Sequence, residues 1–241
     1  MPVQLNYQNR GSYCERIIPA AELPSLPPPP YHDAYPVKLP DGDWALLPLL
    51  ALPSDFDTAI AYLCITENSF ALEERLSSAM AELARPLRAD IVVGMPTLGM
   101  VLAASVGKKL GHKHYVPLSY SRKFWFEEEL SVPVNSITTP VQPKIVYIDP
   151  RIIERLEGRR VLLVEDVIST GGTVAAELAL MKKLGAHVVG VITAIRETRV
   201  WSAKLAAIDP AYPSLVNSPI RCPLFRRSGT GWAPDWATLP D

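Results

Sequence analysis

The sequence predicts an α/β fold: a doubly wound parallel sheet with a small hood supplied by the terminal segments. Three observations carry this. Short apolar runs alternate with helix-spaced apolar residues through the middle of the chain, the pattern of parallel strands linked by crossover helices. Apolar residues make up 48% of the 241 residues and charged ones 20%, enough to bury a core. Proline, at 24 residues, is about twice as frequent as usual and lies largely outside the middle, so the ends should be irregular. The expected division is 1–60 as an N-terminal hood, 61–199 as the core and 200–241 as a C-terminal extension.

The elements follow in order. Residues 1–60 hold Pro24 and the run 27–30, which favour polyproline II or turns, and short apolar pieces such as 44–47 that need a surface to pack on. From Asn68 or Ser69, Leu72, Leu76, Met80 and Leu83 recur at helical spacing until Pro86 stops them. A buried strand is expected at 91–95, a turn at 96–99, a helix from about Met100 to Leu110 with Gly111 as its stop, and a strand near 114–118. Residues 119–143 lose periodicity and read as a long loop, a feature usually tied to function or mobility. Strands at 144–148, 161–164 and 188–195 frame a helix at 173–184. The tail, with Trp201, Trp232 and Trp236, is too aromatic to be left wholly in water.

Composition excludes several function classes. The 24 Lys and Arg against 25 Asp and Glu give no broad cationic field, so no nucleic-acid partner is expected. Cys14, Cys64 and Cys222 lack the paired spacing of disulfide frameworks or zinc sites, and His32, His112, His114 and His187 form no ligand pattern. No apolar leader opens the chain, and the apolar stretch 44–52 is too short to span a bilayer. A cytoplasmic protein without a membrane partner is expected.

The chemistry concentrates in 161–173, VLLVEDVISTGGT. Two acids, Glu165 and Asp166, end a buried strand, and a Ser/Thr/Gly turn opens the next helix. Ligands of open α/β sheets bind at the carboxyl ends of the strands, and free N–H groups at a helix start attract phosphate. Gly171 and Gly172 let the backbone approach an anion, while Ser169, Thr170 and Thr173 add hydroxyl donors. The acids would repel a phosphate laid against them but suit hydroxyl groups further along the same ligand. The site therefore asks for a sugar phosphate.

These thirteen residues resemble the signature of the type I phosphoribosyltransferases, which bind 5-phosphoribosyl-1-diphosphate (PRPP). The resemblance covers about 65–197 and is nearest in layout to the adenine-type purine enzymes. It implies transfer of phosphoribosyl from PRPP to a free nucleobase in purine salvage, with release of diphosphate. Ser169, Thr170, Gly171, Gly172 and Thr173 would bind PRPP, and Thr97, Leu98 and Gly99 of the earlier turn would face its diphosphate. Glu165 and Asp166 would act on the ribose, and Arg122 and Lys123, at the start of a mobile loop running from Ser119 to about Pro140, would hold the leaving group. Mg²⁺ is expected with the substrate rather than on protein ligands, and a homodimer is expected.

Phe124, Trp125 and Phe126 are expected to pack on the body or a partner subunit, and 127–129 to be a solvated charge run. The resemblance leaves the base open, with adenine or a related purine ahead of orotate. Ser169 stands where the hypoxanthine and guanine enzymes resemble one another in carrying an acid, so those bases are expected to be poor acceptors. A PRPP-binding regulator without transferase activity is the other class. It would carry a DNA-binding module, which 1–60, with three basic and seven acidic residues, does not favour.

Overall fold

The computed structural model describes residues 16–134 and 144–241. Cys14 and the end of the expected mobile loop, 135–140, lie outside the described residues. The chain begins with a run of antiparallel strands: β1 (Ile17–Ile18), β2 (Ala34–Lys38), β3 (Trp44–Leu52) and β4 (Asp55–Ala61). Strand β3 pairs with the other three. Its apolar run extends five residues beyond the 44–47 expected, because Pro48 faces β2 across from Ala34 rather than interrupting the strand.

Helix α1 (Phe70–Ala84) follows, its start fixed by the Ser69 side chain, which accepts the Leu72 N–H at 3.2 Å. Leu72, Leu76 and Met80 are buried, and a single 3₁₀ turn at Arg85–Leu87 ends the element where Pro86 was expected to. Strand β5 (Ile91–Gly94) is wholly buried. Helix α2 (Leu98–Lys109) starts two residues earlier than the sequence suggests, and β6 (Tyr115–Pro117) follows.

Residues 119–143 are not one loop. Ser131–Val134 forms β7, which pairs antiparallel with β8 (Lys144–Tyr147) as a ribbon separate from the main sheet. Pro133 disguised this strand in the sequence, yet it sits exposed while Val134 and Val146 are buried. Strand β9 (Arg160–Ile168) also runs longer than the 161–164 expected. Its acids stay in the strand because β10 (His187–Glu197) pairs Thr193 with Glu165 and Ile195 with Val167, and that pairing overrides their weak strand preference. Helix α3 (Gly172–Lys183) connects the two.

The chain closes with α4 (Val200–Ala206), α5 (Tyr212–Leu215), β11 (Val216–Asn217), β12 (Ile220–Cys222), β13 (Leu224–Ser228) and β14 (Gly231–Asp235). Strands β6, β5, β9 and β10 lie side by side in parallel, and β11 and β12 run along the far edge of β10. Residues 200–222 thus stay with the parallel sheet. Only β13 and β14 leave it to join the N-terminal sheet, β13 pairing with β4 through Phe225 and Ala59.

Helices cover both faces of the parallel sheet. On one, Leu76, Met80, Leu102 and Val106 of α1 and α2 meet Val92, Leu162 and Ile192, and this core runs on into Leu47, Tyr35 and Phe225 of the second sheet. On the other, Val174, Leu178 and Met181 of α3 meet Val93, Leu163 and Val191 together with Trp201 and Leu205. Trp201 and Trp232 are buried, as expected for the tail, but Trp236 is 54% exposed. Among the described residues no helix is long and apolar enough to cross a membrane.

Phe225, fully buried and edge-on to Tyr35 at 4.7 Å between ring centres, joins the two ends of the chain to the core. Phe225→Ala should lower stability by about 3–5 kcal/mol, the cost of a large void in a packed interior, measured as a fall in the urea midpoint.

Candidate functional site

The carboxyl ends of β5 and β9 open into a cleft of about 330 Å³. Its walls are 60–63 at the end of β4, Pro96, Thr97 and Leu98 before and at the start of α2, Tyr120, Lys144, 165–174 and Glu197. The parallel sheet forces this arrangement, since strands ending on the same side deliver their following turns to one edge.

The 169–173 turn is shaped by its neighbours. Gly171 has a φ of 76°, the left-handed region, and a side chain there would come within 3.0 Å of Trp201 Cβ. Both constraints require glycine. Below the turn, the Thr198 hydroxyl donates to the Ser169 carbonyl at 2.8 Å and accepts the Val200 N–H at 3.3 Å. Ser169, Thr170, Gly171, Gly172 and Thr173 all line the cleft, with the backbone of α3 starting at Gly172.

Of the earlier turn, Thr97 and Leu98 line the cleft and Gly99 does not. The peptide between Pro96 and Thr97 is cis. Gly99 has a different part: a Cβ on it would run into the Glu165 carboxylate and lie 2.8 Å from the Val164 carbonyl. Its bare backbone lets α2 start against the end of β9, and so brings the two turns together.

Arg122 and Lys123 are exposed and outside the cleft lining; the Lys123 ammonium lies 3.4 Å from Ser121 Oγ. The cation that lines the cleft is Lys144, the first residue of β8, with its ammonium 4.9 Å from the centre of the Tyr120 ring. The sequence offered no sign of this, because Lys144 reaches the cleft only through the β7–β8 pairing. The aromatic triplet divides. Phe126 is buried, Trp125 donates its indole N–H to Asp149 at 3.1 Å under the Arg151 guanidinium, and Phe124 is 98% exposed. Residues 127–129 are exposed, as a solvated run should be.

The electrostatics of the cleft are set by burial. Glu165 is 7% exposed and its Oε2 has no hydrogen-bond partner. Burial, with the charges of Asp166 and Glu177 adding to it, holds its carboxyl well above the usual range. Burial raises Asp166 to about 6, and Glu197, 2% exposed, to about 8, against the lowering pull of the Ser169 side chain and with the charge of Asp166 adding to the rise. Glu177 of α3 is fully buried with both carboxyl oxygens unpartnered, and burial pushes it up as well. Sequence reasoning missed Glu177 and Glu197. Glu177 is a lone acid in an apolar run and Glu197 a lone acid between Arg196 and Thr198, and each becomes part of this cluster only when α3 and β10 flank β9.

The donors in the cleft are hard oxygen groups, which suit Mg²⁺ rather than a softer metal. Among the described residues no three His, Cys, Asp or Glu side chains converge as a metal cage. The unpartnered Glu165 Oε2 beside Asp166 fits a cation that arrives with most of its ligands already in place.

These raised carboxyls carry a stability signature. The native protein keeps a proton on Glu197 that the unfolded chain gives up once pH passes about 4.5, so stability should fall from there to about pH 8 and level off above. Thermal unfolding of the ligand-free protein across that range should show the decline, and Glu197→Gln should make it shallower, the remainder coming from Glu165, Asp166 and Glu177. An unchanged slope in that variant would contradict the assignment.

Comparison with known proteins accords with this geometry. The phosphoribosyl transferase domain family matches residues 66–209, more than half of the chain. Adenine phosphoribosyltransferase of Frankia casuarinae is 32% identical over 146 residues, 61% of this chain and 65% of that protein. The enzyme of that name from Thermotoga petrophila is 32% identical over 130 residues, 53% of this chain and 70% of its own. The matches thus leave about a third of each relative's length uncovered. Among solved structures, the Giardia lamblia enzyme complexed with 9-deazaadenine superposes with a TM-score of 0.56 at 16% identity, over 72% of this chain and 92% of its own, a likeness of fold. Matched over 66–209, which holds the parallel strands β5, β6, β9 and β10, the strand-end acids and the turn that opens α3, the chain belongs to the phosphoribosyl transferase domain family.

Proposed function

We propose that the protein transfers the 5-phosphoribosyl group of PRPP to a ring nitrogen of a free purine, adenine foremost, and releases diphosphate. The observation that carries this reading is the meeting in one cleft of Glu165, Asp166 and the 169–173 turn beneath 60–63 of the second sheet. The adenine phosphoribosyltransferases similar to the chain support adenine as the base.

The N–H groups at the start of α3 and the hydroxyls of Thr170 and Thr173 take the 5-phosphate, where the partial positive charge of a helix start favours an anion, while Ser169, its hydroxyl oxygen buried, contributes to the shape of the turn. Glu165 and Asp166 accept hydrogen bonds from the ribose hydroxyls and set negative charge near the anomeric carbon. As the bond from that carbon to diphosphate breaks, its electron pair leaves with the diphosphate and the ribose gains cationic character. The fixed carboxylates stabilise that charge without reorganising. The lone pair of the base nitrogen forms the new bond, and the proton that nitrogen sheds passes to solvent. Thr97 and Leu98 flank the diphosphate, with Lys144 the cation nearest to hand and Arg122 and Lys123 on the exposed segment before the ribbon. Glu165 and Asp166 are the residues that would hold Mg²⁺, which when bound neutralises charge on the diphosphate.

A cytoplasmic homodimer belongs to the same reading. The reduced, buried Cys64 and Cys222 support a reducing compartment, and Phe70 and Phe124, left in water at 92% and 98% exposure, support a partner surface.

Diphosphate release from PRPP and Mg²⁺ across adenine, hypoxanthine, guanine and orotate tests the reading. Adenine should be the preferred acceptor, and Asp166→Asn, which keeps size but removes charge, should lower turnover by about 10²-fold or more. Release with no base, or full turnover in that variant, would overturn it.

A further inference from the structure

The cleft is lined by three acids, Glu165, Asp166 and Glu197, and among the described residues by one cation, Lys144. Side chains two apart on a strand share a face, so Lys144 faces the same way as Val146, which is buried in the core shared with α3. It is thus carried on the inner face of the ribbon, at the point where core gives way to cleft. Two backbone hydrogen bonds between Ser119 and Tyr147, at 3.0 and 2.8 Å, tie the ribbon to the segment after β6 and bring Tyr120 beside Lys144. The Lys144 ammonium lies 4.9 Å from the centre of the Tyr120 ring, while the Tyr120 hydroxyl is within reach of the charges of Glu165, Glu177 and Asp166. A lysine sharing a cleft with three carboxyl groups would ordinarily fold onto one of them, yet among the described residues no ion pair includes Lys144. The face of an aromatic ring attracts an ammonium through its quadrupole and so competes with the acids for it.

We propose that Tyr120 is a positioning residue: its ring holds the Lys144 ammonium clear of the strand-end acids, where it receives the diphosphate as that group leaves. The inference rests on the transferase reading. Strand order sets the geometry. From β9 through β5 to β6, the cleft is met in turn by the 169–173 turn, by Thr97 and Leu98, and by Tyr120 with Lys144. With the 5-phosphate on the first of these, the other anionic end of PRPP extends toward the last. As the bond from the anomeric carbon to the diphosphate oxygen breaks, its electron pair goes to the diphosphate. The ammonium, a point charge on a flexible stem, donates hydrogen bonds to the oxygens that gain this charge, and no proton is transferred. Collapse of Lys144 onto Glu165 or Asp166 would defeat both groups, because the acids would lose their charge near the ribose and the diphosphate its cation.

The test measures turnover, and calorimetric binding of inorganic diphosphate with Mg²⁺ and of ribose 5-phosphate, in the wild type, Lys144→Met, Tyr120→Phe, Tyr120→Leu and the double variant of Tyr120→Leu with Lys144→Met. Lys144→Met keeps the stem and removes the charge, and should lower turnover by about 10²-fold. It should weaken diphosphate binding by about tenfold or more while leaving the Kd for ribose 5-phosphate within about twofold. Tyr120→Phe keeps the ring and should hold turnover within about threefold of the wild type, whereas Tyr120→Leu should lose about tenfold. The double variant should be no slower than Lys144→Met, since without the ammonium the ring has nothing to hold. Unchanged diphosphate binding in Lys144→Met, a Tyr120→Phe variant as slow as Tyr120→Leu, or a further loss in the double variant would overturn the proposal. Should Tyr120→Leu fail to fold, Tyr120→Met takes its place in every comparison. If the wild type transfers to no base, the transferase reading falls, and the diphosphate titrations still decide. Weaker binding to both Lys144→Met and Tyr120→Leu than to wild type supports the pairing, and equal binding, or none to wild type, removes it.

Discussion

Two neighbouring carboxyl groups sit at the end of β9 with no basic partner close enough to form an ion pair among the described residues, and the surrounding structure is what keeps them there. Burying charge without compensation is unfavourable, so burial lifts both carboxyls above their usual range in the ligand-free protein. Gly99 tightens the constraint. By letting α2 start against Val164 and Glu165, it brings the 96–99 turn up to the acids. The strand-end edge becomes an acidic cleft beside a helix start that attracts anions. Such a pocket suits a ligand that is phosphate at one end, hydroxylated in the middle and accompanied by a cation.

The two chain ends complete the pocket. Strand β4 pairs with β13, so residues from either end of the sequence form one sheet, and Phe225 and Tyr35 fasten it to the same core as α1 and α2. Because that sheet is continuous with the core, the 60–63 wall of the cleft is anchored by packing rather than carried on a loop.

The parallel sheet and the turn that opens α3 were legible because both depend on local pattern. Apolar runs of strand length, helix spacing from Leu72 to Met80, and acids followed by Ser, Thr and Gly are all contiguous in the chain. The features that stayed hidden depend on pairing between distant segments. Strand β7 reads as loop because Pro133 interrupts it, and only its register with β8 reveals it and brings Lys144 to the cleft. Glu177 and Glu197 carry no local mark, since an isolated acid in a helix or strand is ordinarily solvated. Conversely, Arg122 and Lys123 stand out in the sequence yet lie exposed, because adjacency in the chain says nothing about which way a side chain faces.

The central claim is that the raised carboxyls of the strand end receive a cation-bearing sugar phosphate, and proton linkage tests it most directly. Calorimetric titration of PRPP with Mg²⁺ near pH 7, repeated in buffers of different ionisation enthalpy, counts the protons exchanged on binding. Because the bound cation favours the ionised form of Glu165 and Asp166, the account predicts net proton release, reduced in Glu165→Gln and in Asp166→Asn. Binding of PRPP without proton release, or release unaltered in both variants, would contradict it.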